Sequence, residues 1–150
     1  MSDDPTGRLE ELTVEDCLAL LRLGRVGRIA VVVDDAPIIV PVNYQLVDVA
    51  ERNWIALRTR PGGVVARPSA RVAFEIDGVD PAARRGWSVL VRGTLQTVDP
   101  ATADFRDRFD PQPWLQEERD AWFVIEPFSI TGRRLHGAET DWPFHIAGYL

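Results

Sequence analysis

Apolar positions recur along this chain with two different periods. Val14, Cys17, Leu18 and Leu21 fall at i, i+3, i+4 and i+7, the spacing of one helix face. Thr13 can cap such a helix, Glu15 and Asp16 occupy the first turn where the macrodipole favours acids, and Gly24 is placed to stop it. A helix is therefore predicted over residues 13–23. Beyond it the period falls to two and β-branched residues dominate, which predicts strands over 27–33, 37–47, 53–58, 71–77 and 87–98. Alternation is clearest where Val72, Phe74 and Ile76 interleave with Arg71, Ala73 and Glu75, and where Val89, Val91 and Leu95 interleave with Ser88, Arg92, Thr94 and Gln96. One face of each strand is buried and the other is polar. Asp99-Pro100 reads as an N-cap with proline at the first helical position, opening a helix to about residue 108, and Pro113 opens another to about 119. A last strand over 121–135 is interrupted at Pro127.

The early links, 34–37 and 48–53, are too short for helical crossovers, so the first three strands form an antiparallel meander. Many short antiparallel strands with a few helices in the connections make a mainly β protein, a small barrel with peripheral helices. At 150 residues the chain holds one such core. Residues 1–12 read as a mobile leader, 13–135 as the barrel and 136–150 as a tail carrying Trp142, Phe144 and Tyr149. The polar, acidic start does not open like a secretory signal, and no apolar run approaches the roughly 20 residues that span a bilayer, so a cytoplasmic address without membrane contact is expected.

Composition removes several chemistries. All 17 basic residues are Arg, and without a Lys neither a P-loop nor a Schiff base can form. Cys17, His136 and His145 are too few for a structural zinc site, and no metal is expected. Gly-x-Ser-x-Gly and Gly-x-Gly-x-x-Gly are both missing. A net charge of -6 repels nucleic acid. No side chain stands out as a general acid or base.

Three segments remain. Arg52, Arg58, Arg60, Arg67 and Arg71 occur with no acid among them, while the rest of the chain carries 12 Arg against 23 acids. Within that strip Arg58-Thr59-Arg60-Pro61-Gly62-Gly63 ends a strand and enters a turn or short helix, where backbone N-H groups, guanidinium forks and a hydroxyl suit one phosphate. A solvated face would look the same. Val40-Pro41-Val42-Asn43 is an apolar strand segment whose proline implies an edge or bulge with main-chain groups open to a ligand, or simply a strand end bending away. Gly86-Trp87 through Arg92-Gly93 sets Trp87 in phase with the core and Arg92 in phase with the polar face. Cys17, on the apolar stripe, reads as core. A haem would need an axial His, but His136 and His145 read as surface or hydrogen-bonded residues.

Taken in order and spacing, these segments, with the helix before Gly27-Arg28-Ile29, the strand at Arg71 to Asp77 and Ile130-Thr131-Gly132-Arg133, resemble the flavin-binding proteins related to pyridoxamine 5'-phosphate oxidase, in their small stand-alone branch. The resemblance spans about residues 12–135. It implies an antiparallel FMN-binding split β-barrel, a homodimer with FMN at the subunit interface, and a flavin-dependent oxidoreductase that meets a small-molecule substrate or electron donor. Carried over, Val40, Pro41, Val42 and Asn43 lie along the isoalloxazine; Arg58, Thr59, Arg60, Gly62 and Gly63 hold the phosphate; Trp87 and Arg92 reach toward the partner's cofactor. Many relatives have a Lys shortly after the Gly turn. Here Val64-Val65-Ala66 stands in that place and Arg67 is the nearest cation, which leaves a deazaflavin cofactor, or a non-catalytic binding module, as the alternatives to FMN.

Overall fold

The computed structural model describes residues 7–60, 62, 63, 65, 70–98 and 121–137. Seven strands and one helix are seen among them: β1 (Arg8–Leu12), α1 (Val14–Leu23), β2 (Val26–Val33), β3 (Ala36–Val49), β4 (Arg52–Thr59), β5 (Ala70–Asp80), β6 (Arg85–Thr97) and β7 (Ala121–His136). All pairings are antiparallel, in the order β1-β7-β4-β3-β2-β5-β6, and β6 returns to pair with β7. This closes a six-stranded barrel. β7 is shared along one edge, its first half by β4 and its second half by β1, which makes the barrel split.

The meander forms through two-residue turns. Asp34-Asp35 and Ala50-Glu51 both hold positive φ at their two central positions, the backbone of a hairpin turn whose twist matches its strands. The strands consequently run longer than their apolar alternation predicts, and the expected link 48–53 contracts to two residues. The inward positions of β5 and β6 are buried as the alternation requires, with Val72, Phe74, Ile76, Val89, Val91 and Leu95 in one core with Ile29, Tyr44, Ile55, Leu57, Phe123 and Ile125. The predicted helices at 99–108 and 113–119 and the aromatic tail lie outside the described residues.

α1 begins as expected, with the Asp16 N-H donating to Thr13 Oγ1 at 3.1 Å, and Cys17, Leu20 and Leu21 are buried. Burial pushes the Cys17 thiol pKa up, as its core position implies. The stripe is rotated by one contact from the sequence expectation: Leu20 enters the core while Val14 stays 53% exposed and lines a surface groove with residues of β4 and β7. The helix is pinned at its other end by Tyr44, whose buried hydroxyl donates to the Leu21 carbonyl at 2.8 Å.

Two expectations are corrected. Residues 8–12, read as part of a mobile leader, form β1, in register from Arg8 opposite His136 to Leu12 opposite Gly132. Main-chain pairing holds most of this strand: Leu12 packs on the core and Leu9 is exposed, so its apolar residues show no alternation. Glu10 accepts from His136 at 2.5 Å, and this bond, with the nearby His136, Arg134 and Arg8 charges, holds the Glu10 carboxyl below its ordinary 4.5. A lowered carboxylate stabilises above its unfolded pKa and loses that contribution as pH falls through the folded one. Glu10→Gln is expected to raise hydrogen exchange of the β1 amides at neutral pH and to erase the acid-dependent part of that exchange. Equal β1 protection in both proteins from pH 3 to 7 would contradict this.

The second correction is at Pro127, which does not interrupt β7. Gly93 pairs with Pro127 and Arg92 with Ser129, so Phe128 is the extra residue of a β-bulge and the strand continues through it.

Candidate functional site

The β3 segment behaves as its proline suggests. Among the described residues, 36–43 pair with β2 alone, while pairing with β4 starts at Tyr44 opposite Leu57. The Tyr44 N-H donates to Arg25 O of the β2 side at 3.0 Å. Since main-chain groups alternate between the two edges of a strand, the Pro41 nitrogen and carbonyl face the other, open edge. A proline costs no ladder bond there. Val42 is buried, Val40 packs partly on the core, Asn43 is half-buried and Pro41 is exposed. Among the described residues, the segment is an apolar ledge paired with a strand on one side.

Beside Pro41, in register across β2 and β5, lie Arg28 and then Glu75. Arg28 bonds Asp77 Oδ1 at 2.7 Å and lies 3.7 Å from Glu75 Oε2. Burial, then the neighbouring Asp77 charge, raises the Glu75 pKa from 4.5. A raised carboxyl pKa means that stability is fully present below the unfolded pKa and is lost as pH climbs through the folded value. Glu75→Gln is therefore expected to unfold later than the parent at pH 7 and at the same denaturant concentration near pH 4. A variant less stable than the parent at pH 7 would show that the Arg28 pairing outweighs the burial.

The expected phosphate clamp sits at the end of β4. Arg58 points out of the barrel with its guanidinium carbon 5.1 Å from the Trp122 ring centroid, its register partner on β7. A guanidinium at this distance is attracted to the ring by a cation–π interaction. Thr59 faces inward and is 7% exposed, the buried polar side chain among the described residues. The chain then turns sharply, the Gly63 N-H donating to Arg60 O at 3.1 Å and Gly62 holding φ +71. Nothing lies within 4 Å of a Cβ built on Gly62, so glycine is needed there for backbone conformation and not for room. A Cβ on Gly63 would lie 3.8 Å from Thr59 Oγ1. Arg58, Thr59, Arg60, Gly62 and Gly63 thus follow one another at one end of the barrel, with Arg58 and Thr59 on opposite faces of β4, and Val65 is buried in the core. Arg67 lies outside the described residues.

The other two candidates are elsewhere. Trp87 is half-buried and packs on the core, as its phase predicts, and its indole lies against Gly78. It is ten residues back along β6 from Thr97, the residue level with the β4 end, or about 33 Å at strand spacing. Within one chain it does not meet the clamp. Arg92 is exposed, 5.6 Å from the Phe128 ring centroid. His136 is engaged with Glu10, and among the described residues no three potential metal ligands cluster. No helix among them is long and apolar enough to cross a membrane.

A closed antiparallel barrel split along β7, plugged by one helix and bearing a Gly turn after its fourth strand, defines the split-barrel class. Within that class the chain belongs to the pyridoxamine 5'-phosphate oxidase family, whose model matches residues 13–134. It is 33% identical over 131 residues to an uncharacterised protein of Mycobacterium tuberculosis, covering 83% of this chain and 84% of that one. Among solved structures it is similar to the FAD binding protein of Mycobacterium smegmatis, with 33% identity, a TM-score of 0.61, and coverage of 85% of this chain and 98% of that one. A conserved protein of unknown function from Corynebacterium diphtheriae aligns with 31% identity and a TM-score of 0.71 over 88% and 99% of the two chains.

Proposed function

We propose that this protein is a flavin-binding oxidoreductase, with the isoalloxazine along Val40 to Asn43 and the cofactor phosphate on Arg58, Thr59 and the Arg60–Gly63 turn. The observation that carries the reading is the succession at the β4 end: a guanidinium beside a Trp ring, a buried hydroxyl and a glycine turn with a left-handed residue. These groups fit a phosphate monoester, which takes charge-assisted bonds from the fork and neutral ones from hydroxyl and main chain. The open β3 edge supplies main-chain partners for a ring with a polar rim. When bound, the flavin supplies the hydride or electron chemistry; the protein's residues bind it, orient it and keep water from one face.

FMN is the smallest ligand that satisfies ledge and clamp together, and Arg67 is proposed to stand in for the missing Lys. The FAD bound by the mycobacterial relative carries the same ribityl phosphate, so FAD is the second reading. A homodimer is proposed across the part of the outer face that exposes Val32 and Ile39, since apolar side chains left bare on a sheet favour association, with Trp87 offered to the neighbouring cofactor. Titration of the purified protein with FMN, FAD and a deazaflavin, followed by visible absorbance and fluorescence quenching, tests the reading. Micromolar or tighter binding of either flavin is expected. Failure of both flavins alongside tight deazaflavin binding would replace the cofactor, and failure of all three would remove the function.

A further inference from the structure

Two arginines of the acid-free strip take no part in the clamp, and the fold brings both to the same place. The β4–β7 ladder stops at Ile55 opposite Ile125. The Trp122 carbonyl accepts from Val98 beyond the end of β6, so by alternation Pro127 turns its nitrogen toward β4. The next rung would join Asn53 to Pro127, and proline has no N-H to give. The strands part there. Between them opens a groove of about 330 Å³ lined by Arg52, Asn53, Trp54, Glu126, Phe128 and Ile130 among others.

The groove has the features of a ligand site. Asn53 Oδ1 is shielded from solvent and accepts no hydrogen bond, although buried acceptors are nearly always satisfied. Glu126 is neutralised, with Arg52 at 3.0 Å and Gln96 Nε2 at 2.9 Å. On the rim, the bulged Phe128 is 56% exposed, and two guanidiniums, Arg71 and Arg92, lie 5.9 and 5.6 Å from its centroid. Arg22, Arg28 and Arg52 each have a carboxylate partner. Arg71 and Arg92 share one ring instead, which places two like charges together in the absence of an anion. A bulge is a device for re-aiming one side chain, and here it sets an aromatic ring beside both guanidiniums.

We propose that this groove and its rim form a second binding site, for a planar aromatic anion. Its ring packs on Phe128 and Trp54, its phosphate or carboxylate bonds Arg71 and Arg92, and a donor on the ligand satisfies Asn53. The site is separate from the proposed flavin clamp, since Arg52 and Thr59 stand at opposite ends of β4, about 23 Å apart at strand spacing. Two sources offer this chemistry, a free aromatic acid and the phosphate-bearing end of a nucleotide.

4-Hydroxyphenyl phosphate, whose phenol O-H can donate to Asn53, is the probe, followed by nuclear magnetic resonance of the Asn53 side-chain amide and the Trp54 indole. Saturable shifts are expected, at least tenfold weaker in Arg71→Gln/Arg92→Gln and weakened in Phe128→Leu. All three positions are exposed, and unchanged amide spectra elsewhere will show that the variants fold. Arg58→Ala is expected to leave binding of this probe intact even if it abolishes flavin binding, which separates this site from the clamp. Displacement of the probe by 5'-AMP assigns the site to a nucleotide, and resistance to 5'-AMP assigns it to a free aromatic acid. No saturable shift at millimolar probe, binding undiminished in the double variant, or loss of binding in Arg58→Ala would overturn the proposal.

Discussion

Phe74→Ala is expected to remove about 3 to 5 kcal/mol of stability, the range for deleting a fully buried phenylalanine. The ring is completely buried and meets Tyr44 edge to face, with centroids 4.9 Å apart. It also occupies the space over Gly27 on the neighbouring strand: a Cβ built there would collide with Phe74 Cζ and lie 2.6 Å from Cε2. The missing side chain of one residue is thus filled by the ring of the other. The loss extends beyond the cavity, because Tyr44 in turn holds the Leu21 carbonyl of α1. Gly27→Ala should be costly in the parent and much less so in Phe74→Ala, where only the Glu75 carbonyl at 3.0 Å still crowds the methyl. Residues in contact couple in this way and distant ones do not. Urea unfolding of both single variants and the double variant decides it: strictly additive losses would mean that ring and glycine do not share this space.

That pairing shows what the sequence conceals and what it exposes. Alternation assigned Phe74 to the core, since period two needs only neighbours in the chain. That Phe74 fills the space over Gly27 depends on the β2–β5 register, which joins residues 47 apart. Pro41 was legible because a missing N-H has the same consequence wherever the strand lies, and it sits on an open edge as that consequence requires. Pro127 has the same chemistry, yet its effect was misread as a break in its own strand; what it ends is the ladder to β4. β1 escaped notice because an edge strand held by main-chain bonds and a Glu10–His136 contact needs no apolar face. The arginine strip was visible as charge, but its division between two ends of the barrel was not. Arg58 and Arg60 follow β4 to the glycine turn, whereas Arg52 and Arg71 are carried by register to opposite sides of Glu126, through Trp54 on β4 and Thr94 on β6.

Arg58→Ala is expected to weaken flavin binding roughly 10- to 150-fold, the equivalent of one charged hydrogen bond of about 1.5 to 3 kcal/mol. The effect should fall on the phosphate: riboflavin, which lacks it, ought to bind parent and variant alike, while FMN loses its advantage. Arg58→Lys should recover only part of the loss, because an ammonium keeps the charge but presents no fork. Trp122 is only 4% exposed, so truncating it would disturb the barrel, and the Lys variant is the cleaner probe of the fork. Rising salt should weaken FMN in the parent more than in Arg58→Ala, since a phosphate contact at a partly exposed guanidinium is screened. Equal FMN affinity in parent and Arg58→Ala at low salt would move the phosphate off β4, and the open β3 ledge would then be left as the ring site of a cofactor anchored elsewhere.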